Sequence, residues 1–99
     1  MNHRYIKGDQ FVVVESVEAQ ESVPPNNEDI YGRKVMLPEG TIITVCLSIP
    51  LMFDIEGIPS ERGFKLKMVQ HHPQCPPVIE WDKINLVHYA PRDRWGYAL

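Results

Sequence analysis

Leu37-Pro38-Glu39-Gly40-Thr41-Ile42-Ile43-Thr44-Val45 decides the fold class of this chain. Pro38 fixes φ at one turn position and Gly40 frees it two residues later, so Pro-Glu-Gly reads as a tight turn. The run that follows is β-branched and suits a half-buried strand. Across residues 41–47, Ile43, Val45 and Leu47 fall on one face and Ile42, Thr44 and Cys46 on the other. The expectation is an all-β domain: a small antiparallel barrel or sandwich of five to six strands, with long loops and a C-terminal tail.

Upstream of that turn, residues 33–37 read as a strand with Val35 and Leu37 on one face. Residues 11–14, Phe-Val-Val-Val, are the strongest strand former, and Val17 extends the run. Four consecutive apolar residues predict burial on both faces, or a strand that bends between layers. Residues 18–32 read as one long polar loop holding Ser22, Pro24-Pro25 and Asn26-Asn27. Loops of that length in a small domain are usually functional or mobile.

Downstream, Ser48-Ile49-Pro50 ends the strand. Residues 51–62 are apolar at Leu51, Met52, Phe53, Ile55 and Ile58 but broken by Gly57 and Pro59, which suggests a helical turn or a lid. Residues 64–69 alternate, with Phe64, Leu66 and Met68 inward and Lys65 and Lys67 outward. Residues 70–77 form a rigid loop, 78–81 a short strand, 82–84 a single turn, and 86–89 a closing strand.

This order resembles the Src-homology-3-like small barrel. The matching parts are residues 11–14, the acidic segment 15–29, the Pro38-Glu39-Gly40 turn, residues 64–69, and the turn 81–84 before 86–89. The signalling domain's Ala-Leu-Tyr-Asp-Tyr run and its paired tryptophans are missing. The resemblance therefore implies architecture and no peptide-binding residues.

Ninety-nine residues, 43% apolar and 23% charged, make one globular domain with a modest core. The net charge of −3 is uneven. Residues 1–32 carry two basic and six acidic side chains, whereas residues 63–99 carry five basic and three acidic ones. Nucleic-acid binding usually brings a basic balance, which this chain lacks. No basic start leads into an apolar stretch, and no run reaches the roughly 20 apolar residues of a membrane helix. Two cysteines are too few for a disulfide scaffold. The expectation is a cytoplasmic protein with reduced thiols and no membrane.

Three constellations bear on chemistry. His71, His72 and Cys75 form a His-His-x-x-Cys cluster of zinc-type ligands, but zinc needs three or four donors, so they are weak metal candidates. Asp54 and Glu56, and Cys75 beside a histidine, lack the surroundings that make acid–base pairs or nucleophiles. No phosphate-cradling glycine loop and no nucleophile elbow is present. No catalytic residue, cofactor or enzymatic activity is expected. Pro73-Gln74-Cys75-Pro76 meets the minimal Pro-x-x-Pro pattern, though a stiff loop explains it as well.

The remaining signals concern binding. Arg92, Arg94, Trp95 and Tyr97 crowd the tail, and Arg, Trp and Tyr are the residues most enriched at interface hot spots. Either the tail folds back with Trp95 on the core, or it docks on a partner. Glu15, Glu18, Glu21, Glu28 and Asp29 suit a partner with a basic surface. The leading expectation is a non-enzymatic protein-binding module using these residues, of the kind a phage or mobile element encodes to inhibit a host protein. The alternative is a nucleic-acid-binding barrel using Lys65, Lys67, Arg92 and Arg94 with tail aromatics. A third is a metal site at the His-His-x-x-Cys loop. A homo-oligomer that covers the sheet edges fits each reading.

Overall fold

The computed structural model describes residues 5–23 and 32–99. They form an all-β fold of nine strands: β1 (Gln10–Val13), β2 (Val17–Glu21), β3 (Lys34–Leu37), β4 (Ile42–Leu47), β5 (Met52–Ile55), β6 (Phe64–Leu66), β7 (Met68–Val69), β8 (Val78–Ile79) and β9 (Ile84–His88). Seven make one antiparallel sheet in the order β3-β2-β6-β5-β4-β1-β9, and β7 and β8 form a separate ribbon. Among the described residues, no helix is long and apolar enough to cross a membrane.

The turn that announced the fold is built as its residues require. Gly40 sits at φ +93°, and the Thr41 hydroxyl donates to the Pro38 carbonyl at 2.7 Å. Gly40 N–H then donates to Val13 O at 2.7 Å, and Val13 N–H to Thr41 O at 2.9 Å. The turn is thus tied to β1 as well as to β4.

Six strand spacings separate β3 from β9 in the sheet, about 29 Å if it were flat. Yet Leu37 of β3 and Ile84 of β9 belong to one buried cluster with Phe11, Val13, Val17, Ile43, Val45, Phe53 and Phe64. The sheet therefore curls around a single core. It does not close, because β3 and β9 do not pair. Each buried phenylalanine contributes roughly 1.5–3 kcal/mol of transfer free energy.

Several sequence expectations need correction. The main sheet has seven strands, not five or six. Val17 does not extend the first strand but opens β2, which occupies the start of the expected loop. Val17 and Ala19 are buried while Glu18, Gln20 and Glu21 are half-buried, a true alternation that alanine makes faint. β1 is not buried on both faces: Phe11 and Val13 point inward, and Val14 lies outside the strand.

Residues 52–55 are a core strand, β5, rather than a lid. The strand expected at 64–69 breaks at Lys67, and Met68 turns outward into the ribbon. Leu47 leaves the core because the β4–β5 register shifts between Val45 and Leu47. The expected strand at 78–81 stops at Ile79, and Trp81–Lys83 forms a 3-10 turn leading directly into β9.

Candidate functional site

The C-terminal segment folds back as an ordered hairpin-like turn. Asp93 organises it: one carboxylate oxygen accepts from Trp95 N–H at 2.8 Å and Tyr97 N–H at 3.0 Å. Asp93 N–H donates to Tyr97 O at 2.8 Å, and Arg92 bridges to Ala98 across the turn. Gly96 supplies the left-handed residue at φ +85°. These bonds hold Arg94 and Trp95 at the tip, the guanidinium 4.9 Å from the indole centroid. Trp95 is 72% exposed, and Tyr97 and Leu99 are also exposed. Trp95 therefore does not cap the core.

The base of this hairpin is stapled to the start of the chain. Asp9 is fully buried, and its carboxylate accepts from Ile6 N–H at 2.9 Å, Ala90 N–H at 2.7 Å and Arg92 Nη1 at 3.0 Å. Arg92 Nη2 holds the second carboxylate oxygen, and the guanidinium lies 4.4 Å from the Tyr89 ring centroid. Burial alone would raise the Asp9 pKa. The Arg92 hydrogen bond, the two backbone N–H donors and the Arg92 charge outweigh it and hold the group below its ordinary value.

The expected acidic loop is not a single feature. Glu15 is exposed beside the β1 end, and Glu18 sits on β2 opposite Met36. Glu21 is engaged by Arg33 through two hydrogen bonds of 2.7 and 2.9 Å. Arg33 and the Ser60 hydroxyl pull the Glu21 pKa down to about 2. Glu28 and Asp29 lie outside the described residues.

The alternative basic face loses a member, since Arg92 is neutralised by Asp9. Lys65 is half-buried in β6 and Lys67 exposed just beyond it. Lys65 lines a cleft of about 670 Å³ with Lys7, Arg62, Cys46, Asp54 and Met52. Burial, followed by the nearby Asp54 charge, pushes the Cys46 thiol pKa up, so it is a poor nucleophile. Cys46 is half-buried rather than a core residue.

The 70–77 loop does not converge on a metal. His71 and Cys75 are exposed, and His72 Nδ1 accepts from Gln74 N–H at 3.2 Å. Among the described residues, no group of three His, Cys, Asp or Glu side chains is placed to hold an ion. Cys75 N–H donates to His72 O, and the Gln70 amide donates to the Pro73 and Cys75 carbonyls. The loop is a closed turn and not the extended helix that Pro-x-x-Pro ligands present.

Asp9, the residue that fixes where the tail begins, was not among the residues the sequence singled out. A lone aspartate after Lys7-Gly8 carries the ordinary signal of a turn, and its partner lies 83 positions away.

Fold and site together define a small all-β protein with a preorganised, exposed aromatic turn. No protein-family model matches the chain, and no solved structure matches it. Over 63 residues, 64% of the chain, it is 32% identical to Galactinol synthase 10 of Arabidopsis thaliana. That match spans 18% of the length of the plant protein.

Proposed function

We propose that this chain is a non-enzymatic protein-binding module whose hot spot is the Arg94–Trp95 tip of the C-terminal turn. The observation that carries this reading is the pairing of high Trp95 exposure with a backbone already fixed by Asp93. Ordering costs are prepaid in such a loop, so an aromatic anchor can deliver its contact energy to a partner. The curled sheet is the support for a Src-homology-3-like scaffold beneath it. Inhibition of a host protein is one use such a module serves, with Glu15 and Glu18 as the remaining described acidic contacts toward a basic surface. The match to part of a galactinol synthase carries no activity over to this reading, because it covers only 18% of that protein.

The test compares wild type with Trp95→Ala/Tyr97→Ala as immobilised bait in nuclease-treated lysate of the source cells. A protein retained by wild type and lost with the variant is the expected result, with affinity weakened roughly 30-fold or more for a true hot spot. Equal capture by both proteins overturns the reading. So does a signal that disappears with nuclease, which favours the Lys65 and Lys67 face instead.

A further inference from the structure

The two edges of the main sheet are unlike. β3 carries Lys34 and follows Arg33, charges of the kind that keep an edge from pairing. β9 reads Ile-Asn-Leu-Val-His, with no Lys, Glu, Asp, Pro or Gly anywhere along it. Its outer side pairs with no strand among the described residues.

The ladder shows which groups face outward. Val14 N–H donates to Lys83 O, which makes Val13–Ile84, and two residues on Phe11–Leu86, non-hydrogen-bonded pairs of the β1–β9 ladder. Val13 spends its own N–H and C=O on Thr41 and Gly40, on the opposite side of β1, which agrees. The N–H and C=O of Leu86 and the C=O of Ile84 therefore point away from β1, toward the open edge, while the Ile84 N–H is already donated to Trp81 O. Val87, 54% exposed, and Asn85 stand beside them.

We infer that the open edge of β9 is a homodimer seam, pairing antiparallel with β9 of a second copy across a two-fold axis. A neutral strand is self-compatible: no like charges meet when two copies lie side by side. The flanks are complementary. Asp82 precedes the strand and Arg94 follows it, both exposed and outside any salt bridge among the described residues. An antiparallel arrangement sets the acidic flank of one copy toward the basic flank of the other. Pairing satisfies the outward N–H and C=O of Leu86 and the C=O of Ile84 and extends the curled sheet through both subunits.

The test measures mass by light scattering and sedimentation over a concentration series, for wild type and Val87→Lys, together with amide exchange of wild type. Wild type should move from 11.4 kDa toward twice that value as concentration rises. Val87→Lys should stay at the monomer mass, because it places like charges across the axis. Exchange at the Leu86 amide should slow with concentration, while the Asn85 amide, facing β1, and the Ile84 amide, donated to Trp81 O, do not depend on it. Wild type at monomer mass at every soluble concentration overturns the proposal. So does a dimer that survives Val87→Lys, or exchange at Leu86 that ignores concentration. Should Val87→Lys fail to fold, the exchange series on wild type decides alone.

Discussion

Asp9 and Arg92, 83 positions apart, form a two-point ion pair that closes the chain on itself. The buried carboxylate also takes N–H donors from Ile6 and Ala90. One side chain therefore fixes the N-terminal turn, the exit of β9 and the base of the C-terminal hairpin together.

Arg92→Ala leaves the Asp9 charge buried with only backbone donors. Breaking one partner of such a pair costs about 3–5 kcal/mol. Urea unfolding should show a loss of that order. The double variant Asp9→Asn/Arg92→Ala should lose less than the sum of the two single changes, because the second removes what the first left unpaired.

Acid should unfold this protein through two carboxylates. The Glu21 pKa falls from its ordinary 4.5 to about 2 in the folded chain, and that of Asp9 lies below its ordinary 3.8. Both folded values are depressed, so the stability they contribute is full above the unfolded pKa values. It is lost as pH falls from about 5 toward 2. Glu21→Gln should flatten part of that slope. Its cost near neutral pH should be only about 1 kcal/mol, since Arg33 is half exposed. Thermal melts across pH read both effects.

The two thiols should separate by reactivity. Cys75 is exposed, whereas Cys46 is half-buried with its pKa raised. A maleimide or disulfide reagent at neutral pH should modify Cys75 first. Cys46 should lag and speed up as pH rises, which peptide mapping of a time course would show.

Gly63 tests the close packing of the chain against Cys46 and Phe53. It sits at φ +92°, and an added Cβ would lie 2.7 Å from Cys46 Sγ and 3.0 Å from Phe53 O. Gly63→Ala should cost about 2 kcal/mol from strain and contact together. Adding Cys46→Ala should recover only part, because the backbone contact and the φ penalty stay.

Trp95→Ala should separate binding from folding. The indole touches solvent more than protein, so the melting transition should move within about 0.5 kcal/mol of wild type. Partner affinity should fall sharply in the same variant.

What was legible in the sequence followed from local chemistry. Pro38 and Gly40 dictate a turn, and the β-branched run after them dictates β4. Elements failed to show where the local signal was ambiguous. Val17-Glu18-Ala19-Gln20-Glu21 has only a valine and an alanine to mark its inner face, so β2 looked like a loop. Met52-Phe53-Asp54-Ile55 sits between a proline and a glycine, and its strand character comes from pairing with Thr44, Val45 and Phe64. Met68 completes an alternating pattern yet lies outside the core, because the chain leaves β2 at Lys67, whose N–H donates to Glu18 O.

The candidate site divides in the same way. Composition alone marked Arg92, Arg94, Trp95 and Tyr97, because residue type is a local property. It could not tell that Arg92 is neutralised by Asp9 while Arg94 stays exposed, or that Glu21 is held by Arg33. By itself the sequence determined an all-β chain with turns at its glycines and an aromatic tail, since turn and strand preferences act within a few residues. Only the tertiary structure decided which charges pair, which strand is left at an edge and that Trp95 faces water rather than the core. Those outcomes depend on groups brought together from opposite ends of the chain, where burial and hydrogen-bond geometry, rather than local propensity, set the energy.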